Sequence, residues 1–196
     1  MTESFAHPFY FLRHGETDYN RRRIFQGQLD SALNQVGLEQ AAEAAAVLAG
    51  EPISGITASP LSRARITAEH VGRATGLEVA TDPDLMECHL GIWQGEPYQP
   101  WAPDYWRGEY APEGGETFWQ FRDRAWPALA RAVADGPNRL IVAHGGLWYA
   151  ARSRVKMVPD LPRMPNAFPL YIRPEGDLWR VTVLGDVEAV EEVLGA

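Results

Sequence analysis

The chain has one cysteine, Cys88, in 196 residues. No internal disulfide can form, so the fold cannot lean on one, and a reducing, cytoplasmic setting is expected. No apolar run is long enough to span a bilayer. Met1 to Pro8 is short and polar and lacks the apolar core of a secretory leader. Positive charge is in deficit: 18 Lys and Arg against 26 Asp and Glu give a net charge of −8. That balance argues against nucleic acid and against an anionic membrane surface as partners. It leaves an anionic small molecule open, because a few cations gathered in one cleft dominate the local field. The histidines His7, His14, His70, His89 and His144 include no close ligand pair, and the lone cysteine adds nothing, so neither a metal nor a cofactor is expected. There is no internal repeat and no low-complexity segment.

What is present is an ordinary globular composition, with 45% hydrophobic residues. The length suits a single domain over 1–196 with ample core. The stretch that organises the chain is Phe9-Tyr10-Phe11-Leu12-Arg13-His14-Gly15-Glu16-Thr17. Its apolar half reads as a strand buried on both faces. In α/β sheets ligands bind just beyond the carboxyl ends of strands, which is where Arg13 and His14 fall. Arg carries a permanent charge on a planar fork that matches phosphate oxygens. An imidazole can act as nucleophile, base, acid or ligand. Gly15 suits an unusual turn or a close approach to a ligand.

Further on, Asp18 to Gly27 reads as a polar loop. Its three arginines, Arg21, Arg22 and Arg23, either line an anion site or form a solvated basic face. Asn34 is a good N-cap for a helix over Gly37 to Leu48, with Leu38, Ala41, Ala42, Ala45 and Leu48 on one stripe. Ile53 to Ala58 is a strand. Ser59 is read as an N-cap with Pro60 at the first helical position, which puts Arg63 in the first turn of a helix that Gly76 ends. Leu77 to Thr81 is a short strand, and Glu87 follows it. From Trp93 to Pro112 the chain is dense in Pro, Trp and Tyr and suits no regular helix or central strand. This insertion, at about 92–116, is expected to cover the site. Its aromatics read either as a satellite core or as a substrate lid. A helix over Thr117 to Ala134 is expected to break or bend near Pro127. Asn138 to Ala143 is a second buried strand, and it too ends in His-Gly, at His144-Gly145-Gly146. A terminal hairpin (Ala167 to Arg173 with Leu178 to Leu184) and a short acidic helix from Asp186 complete the prediction.

These motifs, taken together and in this order, resemble the histidine phosphatase superfamily, the phosphoglycerate-mutase-like family. They are Arg13-His14-Gly15-Glu16-Thr17, Asn20, Gln26-Gly27, Ser59-Pro60-Leu61-Ser62-Arg63-Ala64, Glu87 with Gly91, Gly114-Gly115-Glu116-Thr117 and His144-Gly145-Gly146. The resemblance implies a three-layer α/β/α sandwich with a mainly parallel central sheet. The alternation of strands and helices supports that fold independently. It implies His14 as a nucleophile that becomes phosphorylated, Arg13, Arg63 and His144 as a cage for phosphoryl oxygens, and Glu87 as proton donor. It also implies Thr17, Asn20, Gln26, Gly27 and the backbone at Gly145 as further contacts to substrate. The chemistry is coherent. Positioned cations stabilise a phosphoryl group in transfer, and a covalent intermediate divides one hard step into two without a metal. His14 must react in its neutral form, with its other ring nitrogen donating to a backbone carbonyl.

The chain departs from the family after Glu87. The mutases carry Arg-His-Tyr-Gly there, whereas this chain has Cys88-His89-Leu90-Gly91 and is shorter. Both differences favour a phosphatase. The expected activity is therefore a metal-independent phosphomonoesterase acting on a small phosphorylated metabolite, as monomer or homodimer. A mutase, or a catalytically idle protein-binding member, is the alternative.

Overall fold

In the computed structural model, residues 5–100 and 102–185 are described. Strand β1 (Phe9–Arg13) is the hub. Its first four residues are buried. Phe9 and Phe11 enter one hydrophobic cluster while Tyr10 and Leu12 enter another, as the two-residue alternation of a strand requires. A one-turn helix, α1 (Asp18–Arg21), follows. It is closed by a capping box in which the Thr17 hydroxyl accepts from the Asn20 amide and the Asn20 side chain accepts from the Thr17 amide. The sequence predicts a loop here, since one turn carries no periodicity to detect.

Helix α2 (Gln35–Leu48) starts at Asn34, whose side chain accepts from the Gly37 amide at 2.8 Å. Its buried face is Gly37, Ala41, Ala44, Ala45 and Leu48, whereas Leu38 and Ala42, predicted to face the core, are exposed. Gly37 fixes the rotation. It lies so close to the Glu16 backbone that no side chain fits between them, and this turns Ala41, Ala44 and Leu48 inward. Next come β2 (Gly55–Ala58), then α3 (Ser62–Thr75), which Gly76 ends in a left-handed conformation at φ 73°, and β3 (Val79–Thr81).

Within the aromatic stretch there is a short 3-10 turn over Gly91–Trp93 and a helix α4 (Ala102–Trp106). Helix α5 (Phe118–Ala134) begins at a second capping box, Thr117 with Gln120. It continues through Pro127 without the predicted break. Asp123, whose carbonyl loses its donor to the proline ring, is exposed, so water can take that acceptor. Strand β4 (Arg139–Ala143) leads into α6 (Gly145–Arg152). A short strand β5 (Lys156–Val158), absent from the sequence reading, precedes the hairpin of β6 (Pro169–Glu175) and β7 (Leu178–Val183). The acidic helix predicted from Asp186 lies outside the described residues.

The seven strands form one mixed sheet in the order β3-β2-β4-β1-β6-β7-β5. β3, β2, β4 and β1 are parallel; β6 runs antiparallel between β1 and β7, so β7 and its parallel neighbour β5 share the direction of β1. One face packs against α5 and α6 around Phe121, Leu129, Leu147 and Trp148; the other packs against α2 and α3 around Ala44, Leu48, Ala64 and Val71. This is the three-layer α/β/α sandwich with a mostly parallel sheet. The register pairs Arg13 of β1 with Ala143 of β4. His14 and His144 therefore leave two adjacent parallel strands at the same level, and the His14 amide donates to the Ala143 carbonyl at 3.0 Å.

Candidate active site

His14 is 2% exposed, and its Nδ1 lies 2.7 Å from the Gly15 carbonyl oxygen. A carbonyl can only accept, so Nδ1 carries the proton and a neutral ring has its lone pair on Nε2. Burial pushes the imidazole well below its ordinary range, and the Arg63 and Arg13 guanidinium groups push it further. The ring is thus neutral near neutral pH, with Nε2 unprotonated. Gly15 is explained by neither an unusual turn nor a ligand: any side chain there would overlap the Gly37 carbonyl at the start of α2. One residue that the sequence reading missed, Asn166, holds the loop by donating to the His14 carbonyl at 2.8 Å.

Arg13 donates from Nη1 to the Met164 carbonyl at 2.7 Å, while its buried Nε has no partner. Arg63, in the first turn of α3, is fully buried. Its two Nη groups donate to the carbonyls of Leu29 and Gly27, each at 2.8 Å, and its Nε is unpartnered. Burial lowers the Arg63 pKa to about 10, against the nearby charge of Glu87 and Asp30. It therefore remains a cation at neutral pH. Gly27 lines the cavity, and its carbonyl serves to hold Arg63.

Ser59 is not the cap of α3. The cap residue is Leu61, which makes no side-chain bond, and Asp30 takes over by accepting from the Ser62 amide and hydroxyl, each at 2.7 Å. The Ser59 hydroxyl accepts the Leu61 amide at 3.3 Å, ahead of the helix, and also lies 2.8 Å from His144 Nε2. His144 is completely buried, and its Nδ1 has no partner. Its ring centroid lies 5.2 Å from that of His14. Burial and then Arg63 push His144 well below the ordinary imidazole range, so in the protein alone it too is neutral.

Glu87 accepts the Cys88 amide at Oε1 (2.9 Å) and the Gly146 amide at Oε2 (3.0 Å). A side chain at Gly146 would collide with this carboxylate. The loop under Glu87 is held by Arg124, a second residue missed from sequence. It donates to the carbonyls of Asp84, Met86 and Glu87 and grips Glu116 through two bonds, at 2.9 and 2.8 Å. Glu116 in turn accepts the His89 amide at 2.8 Å. Burial alone would raise the Glu116 pKa, but the bonds from Arg124 and the His89 amide outweigh it and hold the group below the usual range. Its motif, Gly-Gly-Glu-Thr, is thereby given a structural purpose. Cys88, buried beside Glu87, has its thiol pushed far up, first by burial and then by the neighbouring Glu87, so it is not a thiolate.

These groups open into one cavity of about 710 Å³. Arg13, His14, Asn20, Gln26, Gly27, Arg63, Glu87 and Gly145 all line it. Thr17 and His144 do not. Thr17 lies behind the wall, fully buried, with its hydroxyl bonded to both Asn20 and Gln26. A second hydroxyl, from Ser31, also reaches Gln26 Oε1, which leaves the Gln26 amide nitrogen to donate. The aromatic segment divides between its two readings. Tyr105 is buried in the core, whereas Tyr98, Pro100, Pro103 and Trp106 line the cavity, with Trp106 stacked on Tyr149 at 4.6 Å. Of the three clustered arginines, Arg21 pairs with Glu16 and Arg23 lines the cavity; Arg22 does neither. Among the described residues no cluster of His, Cys, Asp or Glu is arranged to hold a metal ion.

The sequence matches the family model of the histidine phosphatase superfamily, branch 1, over residues 9–186. The chain belongs to that superfamily. It is 40% identical over 172 residues to a glucosyl-3-phosphoglycerate phosphatase of Mycobacterium tuberculosis, covering 79% of this chain and 77% of that one. It is 31% identical over 206 residues to a metal-independent phosphoserine phosphatase of Arabidopsis thaliana, covering 97% and 86%. Among solved structures it is similar to the mycobacterial glucosyl-3-phosphoglycerate phosphatase in complex with VO3. The TM-score is 0.78 at 34% identity, over 91% of this chain and 97% of that one. This histidine phosphatase is accordingly a phosphomonoesterase of the phosphoglycerate mutase family.

Proposed function

We propose that this protein hydrolyses a small phosphorylated metabolite through a phosphohistidine on His14. The observation that carries the reading is the Nδ1 contact of His14 with the Gly15 carbonyl, made in the field of the Arg63 and Arg13 guanidinium groups. It fixes the tautomer so that Nε2 has the free electron pair, and burial, aided by the arginines, keeps the ring unprotonated. In the first step Nε2 attacks phosphorus, the phosphorus–oxygen ester bond breaks, and the Glu87 carboxyl gives its proton to the leaving oxygen. In the second step water attacks phosphorus, Glu87 takes its proton, and the phosphorus–nitrogen bond breaks to return the imidazole. Arg13, Arg63, Asn20 and Gln26 surround the transferring oxygens, with the His144 ring buried behind them. The unpartnered Nε groups of Arg13 and Arg63 and Nδ1 of His144 give hydrogen-bonding capacity that the protein itself does not use. The guanidinium charges do the work a metal would otherwise do.

The relatives named as a glucosyl-3-phosphoglycerate phosphatase and a metal-independent phosphoserine phosphatase support a phosphatase over a mutase. So does Cys88 in place of the mutases' arginine. The segment over 92–116 is the cover of the site, and the chain acts as a single domain in the cytoplasm. The test is to measure phosphate release beside isomer formation on phosphoglycerates with purified protein. Release without isomerisation is expected. Rapid isomerisation with little release would contradict the reading.

A further inference from the structure

Among the described residues, ten of the seventeen arginines have a carboxylate within 4 Å. Of the other seven, four line the one cavity: Arg13, Arg63, Arg23 and Arg163. The first two are tied to backbone carbonyls. Arg23 and Arg163 differ from them. Both are exposed at the cavity, and among the described residues neither side chain has a hydrogen-bonding or ionic partner. Glu87 is the one carboxylate among the described residues that line the cavity. In a chain of net charge −8, two uncompensated cations on the wall of one cavity set a positive field there.

Both arginines are anchored to the phosphoryl end by their backbones. The Arg23 amide donates to the Asn20 carbonyl at 3.1 Å, and its carbonyl accepts from Tyr98 at 2.8 Å. Arg163 immediately precedes Met164, whose carbonyl holds Arg13. Arg23 also has φ at +54°, a conformation that costs a side-chain-bearing residue free energy and that surrounding contacts must maintain. The cavity's 710 Å³ falls in the range that encloses a whole small molecule, far more than a phosphoryl group needs. Tyr98, Trp106 and Tyr149 line the same cavity and offer apolar faces to the body of such a molecule.

We propose that Arg23 and Arg163 form a second anion site, which selects phosphomonoesters whose leaving group carries its own acidic function, a carboxylate or a second phosphate. An arginine fork suits either. The inference rests on the phosphatase reading and adds to it the chemical class of the leaving group.

Three aryl esters of similar size test it: 3-carboxyphenyl phosphate, 3-phosphonophenyl phosphate and the uncharged 3-carbamoylphenyl phosphate. The wild type favours at least one acidic ester over the amide by about tenfold in kcat/KM, the worth of one charge-assisted hydrogen bond. The difference lies in KM, and it shrinks as salt is raised. In the double variant Arg23→Gln with Arg163→Gln the ratio falls towards one. Which acidic ester is preferred tells a carboxylate site from a phosphate site. Equal kcat/KM for all three esters in the wild type would overturn the proposal, as would a preference that survives in the double variant. No turnover of any ester would overturn the phosphatase reading beneath it.

Discussion

The two His-Gly corners look alike in sequence and differ in the folded chain. Each follows a buried hydrophobic strand, and the two strands are parallel neighbours. His14 has Nδ1 tied to its own neighbour's carbonyl and lines the cavity. His144 has Nε2 tied to Ser59 and stands behind the wall, at the cap of α6, with no exposed surface. One corner therefore presents a nitrogen lone pair to the cavity, and the other spends that same nitrogen on a serine. The difference teaches that a repeated motif can supply two chemical roles when the hydrogen bonds select different ring nitrogens.

Substitutions at the two corners should part company. His14→Ala is expected to remove turnover entirely, together with any acid-labile phosphoryl label on the protein; label persisting in that variant would rule out His14 as nucleophile. His144→Ala should lower kcat by about 10²–10³, because the buried ring backs the His14 corner and its loss lets the reacting groups shift, while burst labelling still occurs. A His144 variant that cannot be labelled at all would erase the distinction between the corners. Glu87→Gln should slow esters with poor leaving groups by about 10²–10⁴ and good ones much less. Equal losses across a leaving-group series would remove the general-acid role.

A smaller effect is expected from Glu116→Gln, which weakens the Arg124 clamp under Glu87 without touching substrate. A loss of kcat of about tenfold is expected, because a small displacement of the acid misaligns proton transfer. It should be steepest for poor leaving groups, and a change confined to thermal stability would make the clamp purely structural.

The smallest effect is on stability. Both rings are held neutral in the folded chain, chiefly by burial and then by Arg63, whereas in the unfolded chain they titrate at about 6.5. Their folded pKa is the lower one, so the unfolded chain binds protons first on acidification. The stability tied to the neutral rings is whole above about pH 6.5 and is lost as pH falls below it, with a limiting slope of about 1.4 kcal/mol per pH unit for each histidine. Urea unfolding from pH 7.5 to 5 should follow that slope for both rings, and His144→Asn should remove one share. An unchanged slope in that variant would mean that His144 is already protonated in the fold.

Much of this was legible in the sequence. Strands β1 and β4 announce themselves because both faces are buried and each is a run of four hydrophobic residues with one arginine, Arg13 or Arg139, at an end. The corners follow from where those strands stop. The rotation of α2 was not legible, because it is set by Gly37 against Glu16, a contact between segments that sequence spacing does not encode. Ser59 was misread because a serine before a proline looks like a cap, and only the fold brings His144 within reach of its hydroxyl. Arg124 and Asn166 carried no local signal at all, since each acts on backbone carbonyls far away in the chain. The arginine run split into a paired Arg21 and an unpaired Arg23 for the same reason: Glu16 is near only one of them.

The most direct trial is to quench the enzyme during turnover of an aryl phosphate and locate the phosphoryl group by mass spectrometry and phosphorus NMR at alkaline pH. A single phosphohistidine at His14, bonded through Nε2, is the predicted product. A phosphoryl group on His144, on Nδ1 of His14, or on no histidine despite steady turnover would contradict it.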